Sequence, residues 1–255
     1  MLSLGIAVVV LLVGQGGAET PTAKSLIEKM MNRYHSAQTV VGKVRLTVST
    51  QSGSASMDTE LQYERPSKLY MMQKKNVAAP DPTQPSHWLV TSDGSTFSYN
   101  IPNDRYDAAP GVRLVEPVAN PRVKTVHTIG SIYAAASKSI GDRSMPLDIA
   151  IANRSDLIYR RAQWATYSLS GSKEIAGKMA HVVSGSFRPY AGAEVIGKFQ
   201  MAITDEGDLL QYVEETNVAV GDGANAQTVR ITSQWDVTLA VGAKVDPALF
   251  KVVLR

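Results

Sequence analysis

The residues of this 255-residue chain best suited to proton transfer or zinc ligation are His35, His87, His127 and His181, and they are scattered. No HxH or HExxH spacing joins them. A zinc site needs several nitrogen, sulfur or carboxylate ligands that converge, so the four read as isolated surface or structural histidines, and no metal is expected. Ser170-Gly171-Ser172-Lys173 spells the serine-x-x-lysine pattern of penicillin-recognising enzymes. The companion patterns are missing, and the run reads as a turn between strands instead of the opening of a helix. There is no G-x-S-x-G elbow. Gly221-Asp222-Gly223-Ala224-Asn225-Ala226 lacks a third glycine and precedes a strand, which leaves no helix N-terminus for phosphate. Asp58, Glu60 and Glu64 alternate onto a solvated face, and Glu214/Glu215 gives no desolvated acid–base pair. Lys74-Lys75 and Arg160-Arg161 lack interleaved aromatics, so no nucleic-acid surface is expected. No catalytic residue and no cofactor site emerges, and the chain reads as a non-enzyme. An enzyme would require His127 and a carboxylate to converge in a cleft.

The elements behind these residues belong to an ordinary foldable protein, with 44% hydrophobic and 19% charged residues. The absence of cysteine excludes disulfides, thiolate metal sites, a cysteine nucleophile and a lipid-modified N-terminal cysteine. A net charge of +3, from 26 basic and 23 acidic residues, makes no case for nucleic acid. Leu2–Val13 is an uncharged apolar run, shorter than the roughly 20 residues of a membrane-spanning helix. Gly16 and Ala18 then stand at the −3 and −1 positions of a cleavage site, although no Lys or Arg precedes the run. Residues 1–18 are therefore expected to be a signal peptide and residues 19–255 a single exported domain. A cysteine-free exported chain fits a bacterial periplasm better than a disulfide-rich extracellular module.

Helical spacing over Ala23–Ala37 is carried by Leu26, Ile27, Met30, Met31 and Tyr34, with Thr22 as N-cap. The period then becomes two. Val44, Leu46 and Val48 alternate with Lys43, Arg45 and Thr47; Met57, Thr59, Leu61 and Tyr63 share one face of the next strand. A third run covers Lys68–Lys74, including Leu69 and Met71. Trp88–Ser92 and Ser95–Tyr99 flank Asp93-Gly94, which predicts a type I′ hairpin. Helical spacing returns over Val123–Ile140, ended by Gly141, with shorter helices at Leu147–Ile151 and Ser155–Gln163. Strands are expected at Trp164–Leu169, Lys178–Phe187, Glu194–Thr204, Leu209–Asn217, Ala226–Leu239 and Phe250–Leu254. Two strand meanders separated by helices indicate an α+β fold with a large antiparallel sheet.

Two features of this pattern bear on function. Arg65 falls in phase with Met57, Leu61 and Tyr63, so a regular strand points its guanidinium toward the apolar face, where it needs acceptors; a bulge at Pro66 would turn it outward. The sheet also exceeds what its helices can easily cover. Phe199 with Met201, and Val229 with Ile231 and Trp235, give apolar faces bearing bulky side chains, and flexible methionines suit surfaces that repack around apolar partners.

Tyr63-Glu64-Arg65-Pro66-Ser67-Lys68-Leu69, the run Trp88–Pro102 with its Val90-x-x-Asp93-Gly94-x-x-Phe97-x-Tyr99 hairpin, and Asp246-Pro247-Ala248-Leu249-Phe250 appear in that order. In this ordered set the chain resembles the LolA-like outer-membrane lipoprotein carrier superfamily. The resemblance spans almost the whole of residues 19–255. It implies an open antiparallel β half-barrel with helices capping its concave face, and acyl chains of lipoproteins or lipids held between sheet and helices. It also implies that Arg65 latches the barrel to a helical lid. Leu46, Val48, Met57, Leu61, Tyr63, Leu69, Met71, Phe199, Met201, Val229, Ile231 and Trp235 are the expected lipid-binding residues. The chain departs from the carriers proper in extra sequence at Ala78–Ser86 and Val123–Gln163, and Arg143–Asp148 resembles a branch without assigned function.

The function expected from these readings is a periplasmic carrier or chaperone in outer-membrane lipoprotein localisation. Its partners would be an acylated lipoprotein or lipid, with an inner-membrane release complex or an outer-membrane receptor. The alternative is an envelope sensor or regulatory module that detects lipid or mislocalised lipoprotein with the same fold.

Overall fold

The computed structural model describes residues 21–76, 87–100, 113–120, 125–136, 144–152, 154, 158, 161–190, 192–220 and 227–252. The expected signal peptide and the whole of the Ala78–Ser86 insertion lie outside them.

Helix α1 (Ala23–Ser36) opens at Thr22, whose hydroxyl accepts from Ser25 N at 3.1 Å. Its apolar stripe, Leu26, Ile27, Met30 and Tyr34, is buried. Strands β1 (Thr39–Thr50), β2 (Gly53–Glu64), β3 (Lys68–Asn76), β4 (His87–Asp93), β5 (Thr96–Asn100) and β6 (Arg113–Pro117) form the first meander. The short pair β7 (Ala119–Asn120) and β8 (Thr125–Val126) leads into α2 (Ile129–Ala135) and α3 (Met145–Ile151). The second meander is β9 (Trp164–Ile175), β10 (Lys178–Phe187), β11 (Gly197–Ile203), β12 (Leu209–Val220) and β13 (Gln227–Val241).

These strands make one 11-stranded antiparallel sheet in the order β6-β5-β4-β3-β2-β1-β13-β12-β11-β10-β9. β6 and β9 are its two edges, so it is an open half-barrel. Every pairing joins strands consecutive in the chain except β1 with β13. At that seam Gly42 has φ 155°, and a Cβ there would stand 1.9 Å from the Thr238 carbonyl oxygen. The helices cover one face: α1 packs on α3, β9 and β11, and α3 on β1, β12 and α2. The other face carries the charged half of the alternation, including Lys43–Glu60 at 2.8 Å and Arg45–Asp58 at 3.2 Å. The C-terminal segment crosses that outer face, where Gln62 Nε2 donates to the Asp246 carbonyl (2.7 Å) and Asp246 N donates back to Gln62 Oε1 (2.9 Å).

Several local expectations are corrected. Helix α2 begins at Ile129, not Val123, because Thr128 caps it with Ser131 while Thr125–Val126 pairs with β7. Gly141 lies outside the described residues, as does most of Ser155–Gln163. The β4–β5 connection is not a two-residue type I′ turn. Ser92 pairs with Phe97, leaving four residues between them, and the Asp93 carboxylate accepts from Ser95 N (2.7 Å) and Thr96 N (2.8 Å). β9 runs on to Ile175, so Ser170–Lys173 lies within a strand; the turn is Ala176-Gly177, both at positive φ. β11 begins at Gly197, and Glu194–Ile196 stays outside the ladder. The last expected strand is absent from Phe250–Val252, because Asp246 and Pro247 start a 3₁₀ turn over Pro247–Phe250.

Candidate functional site

Residues directly opposite each other in a ladder share a face. Leu46 is opposite Met57 and Trp235, Trp235 opposite Tyr212, and Tyr212 opposite Met201. Phe199, Glu214, Ser233 and Val48 form the neighbouring row. Leu61 with Met71, Tyr63 with Leu69, Thr216 with Ile231, and Val218 with Val229 continue it in phase. All twelve expected lipid-binding side chains therefore lie on the face that the helices cover.

Burial grades along the strands. Leu61, Tyr63, Leu69, Met71, Phe199, Met201 and Trp235 are buried in one core with the helices, and Met57 is buried outside that cluster. Leu46, Val48, Val229 and Ile231 are half-buried. Along β1 the order is Val40 and Val44 buried, then Leu46 and Val48 half-exposed; β13 grades from Val237 to Val229 in the same sense. The face is thus closed by the protein's own helices at one end and open at the other.

An aromatic row crosses the face at this transition. The ring centroids of Trp164 and Phe199 are 5.7 Å apart, Phe199 and Tyr212 6.1 Å, and Tyr212 and Trp235 5.7 Å. Trp164 Nε1 donates to Tyr212 Oη at 3.3 Å, and Tyr212 Oη donates to Glu214 Oε1 at 2.9 Å. Glu214 places a carboxylate on this face, beside Ser233. Tyr212, Trp164 and Glu214 were not among the expected residues. The alternation of Leu209–Asn217 puts Tyr212 and Glu214 in one phase, but only the β11–β12–β13 register shows which face that phase joins.

Arg65 stands where β2 ends against α1. Its Nε donates to the Ala37 carbonyl at 2.9 Å, its backbone N donates to Gln38 O at 2.8 Å, and its guanidinium lies 5.3 Å from the Tyr63 ring centroid. The partner of the side chain is thus the C-terminal end of α1. The contact with α2 is made next door, where Ile129 N donates to the Pro66 carbonyl at 2.8 Å. Tyr63 Oη donates to Tyr34 O at 3.3 Å, and Leu209 N donates to Tyr34 Oη at 3.2 Å. Burial pushes both phenols above their ordinary value, so they stay neutral.

The other candidates do not assemble a site. His127 meets the edge of Phe97 at 5.0 Å, and His181 pairs with exposed Asp205 at 2.9 Å. Ser170 bonds Val182 O and Ser184, while Lys173 bonds Gln211, so the two have separate partners. Burial and the charges of Arg65 and Arg154 lower the pKa of His35. Among the described residues, no three side chains of metal-ligating type gather.

No family model matches the chain, and no curated protein matches it. Solved structures do match. The chain is similar to a DUF1329 family protein from Desulfovibrio piger, with 8% identity, 89% of this chain and 96% of that one covered, and a TM-score of 0.33. It is similar to the Pseudomonas aeruginosa MucA/MucB complex, with 12% identity, 89% of this chain covered but only 60% of that one, and a TM-score of 0.42. A LolA superfamily protein from Nitrosomonas europaea matches with 10% identity, 91% and 98% coverage and a TM-score of 0.30. Similarity at this level carries no ligand, partner or location over to this chain.

Proposed function

We propose that this protein is a non-enzymatic binding protein for the acyl chains of lipoproteins or lipids, exported to the periplasm and acting as a carrier in lipoprotein localisation. The observation that supports this reading most is the gradient along the helix-covered face. Half-buried Val48, Val229 and Ile231 lead to the row of Leu46, Met57, Trp235, Tyr212 and Met201 and then to buried Leu61 and Met71, with Glu214 and Ser233 the polar groups in the row of Val48. An acyl chain laid on the open end gains burial of apolar surface at about 25 cal/mol per Å². A longer chain must displace helix from sheet, and the thioethers of Met57, Met71 and Met201 repack readily against a new apolar neighbour.

Native mass spectrometry of protein recovered from the periplasm tests the proposal. A co-purified lipid or acylated peptide supports it. A uniformly ligand-free protein that also fails to bind fatty-acyl probes excludes it.

A further inference from the structure

The strands that carry the apolar face place their lysines and arginines on the opposite side of the sheet, against carboxylates. On that outer face Lys43 stands 2.8 Å from Glu60, Arg45 3.2 Å from Asp58 and Arg230 2.6 Å from Glu215. Lys74 lies opposite Asp58, and Lys198 opposite Glu215. Lys75 breaks the pattern. It is opposite Met57 and therefore shares the helix-covered face. Among the described strand side chains it is the one lysine or arginine in that phase.

The row that Lys75 ends runs on through Met57, Leu46, Trp235, Tyr212 and Met201. The last recorded rung between β3 and β4 is Lys74–His87, so the row stops at Lys75 on that side. Lys75 is exposed, and no described residue pairs with its ammonium. A lysine so placed lays its aliphatic stem along the apolar surface and keeps its charge in water. Glu214, on the same face, lies four ladder spacings away through β2, β1 and β13, roughly 19 Å along the sheet. Its carboxylate accepts from Tyr212 Oη at 2.9 Å. Glu116, on the edge strand β6, accepts from Tyr99 Oη at 3.4 Å.

We infer that Lys75 selects the ligand: the amphiphile held on this face carries an anionic group, a carboxylate or a phosphate, that meets the Lys75 ammonium while its acyl chain crosses Met57 and Leu46 toward Trp235. This rests on the acyl-binding reading above and adds the charge and the direction of the ligand. The direction follows from the two charges. A head group at Glu214 would set two negative charges together, whereas a head group at Lys75 sets unlike charges together and leaves the tail on the apolar row. Because the ammonium is solvated, the contact has the strength of an exposed ion pair and acts on the choice among amphiphiles more than on total affinity.

The test is binding of three single-chain probes to the purified protein at pH 8, in low and in high salt: palmitate, palmitoyl lysophosphatidylglycerol and neutral monopalmitoylglycerol. Lys75→Gln should weaken an anionic probe about two- to fivefold in low salt, leave monopalmitoylglycerol unchanged, and lose its effect in high salt. Lys75→Arg should bind as the parent does. Lys74→Gln, with the same change in net charge on the outer face, should alter nothing. Position 75 is exposed, and matching melting curves establish that the variants fold. A response confined to palmitate assigns a carboxylate, and one confined to the lysophospholipid assigns a phosphate; either supports the inference. It is overturned by unchanged anionic binding in Lys75→Gln, by an equal loss for the neutral probe, or by an equal loss in Lys74→Gln. In those three cases the parent still binds acyl chains and the carrier reading stands. A parent that binds none of the probes overturns both.

Discussion

Arg65 Nε donates to the carbonyl oxygen of Ala37 at 2.9 Å, and this bond fastens the last turn of α1 to the end of β2. The carbonyl is one of those that a helix C-terminus leaves without an intrahelical partner, and a guanidinium there also favours the helix dipole. Arg65→Leu keeps an aliphatic stem and removes the donors. Because the site is half-exposed, the expected loss is about 1–2 kcal/mol. Amide exchange should quicken at the end of α1 and, through the adjoining Pro66 carbonyl, at Ile129. Arg65→Lys should recover only part, since an ammonium lacks the planar fork. Parent-like exchange in Arg65→Leu would show that the bond holds nothing in place.

Tyr34→Phe removes the acceptor of Leu209 N and leaves a buried donor unpaired, for an expected loss of about 1–3 kcal/mol at neutral pH. The same residue sets an alkaline limit. Its folded-state pKa is raised by burial, whereas the unfolded chain releases the phenolic proton near pH 10. Above that value the unfolded state binds fewer protons, so stability is full below about pH 10 and declines as pH rises further. Tyr63 shifts in the same direction. Denaturant titrations across this range should show a shallower alkaline decline in Tyr34→Phe than in the parent. An identical slope would remove Tyr34 from the account.

The two ends of the apolar face should respond differently to substitution. Ile231→Asp, at the half-exposed end, should weaken binding of a fatty-acyl probe by about tenfold or more with little change in melting temperature. Met71→Ala, in the closed end, should destabilise the fold by about 2–5 kcal/mol through the cavity it leaves. Probe titration and denaturant melts of both variants separate the effects. Unaltered probe affinity in Ile231→Asp would show that ligand does not pass the open end.

The pattern of alternation in Val44–Val48 and Met57–Tyr63 was enough to read the strands and to group the apolar residues, because period two assigns faces without any tertiary information. Register was not legible in the same way. Tyr212 joins the face only through the β11–β12–β13 pairings, and Trp164 only through the β9–β10 pair with its register shifts at Val182/Val183 and Ser186/Phe187. The start of α2 was misread because Val123 and Val126 continue a helical spacing that Thr128 interrupts by capping. The in-phase reading of Arg65 found its need for acceptors, but the identity of the acceptor follows from where α1 ends, a long-range contact that local periodicity does not contain.

Gly42→Ala should be among the most damaging single changes. Its Cβ would collide with the Thr238 carbonyl oxygen, and φ 155° is unfavourable for a residue with a side chain. The expected loss exceeds about 2 kcal/mol, read by thermal or chemical denaturation. A variant as stable as the parent would mean that β1 and β13 can separate there without penalty.

That strand pair also has a kinetic meaning. Every other rung in the large sheet closes a short stretch of chain, so each meander is a series of local hairpins that zip rapidly once begun. The pairing of Val40 with Val241 brings together residues from nearly opposite ends of the described chain, and its loop-closure entropy falls due in one step. Refolding should therefore show two half-sheets acquiring protection early and independently, with the join between them last. Until it forms, each half offers an unpaired edge of ten or more residues to any other chain, so the interval before closure is when this protein is most prone to domain exchange.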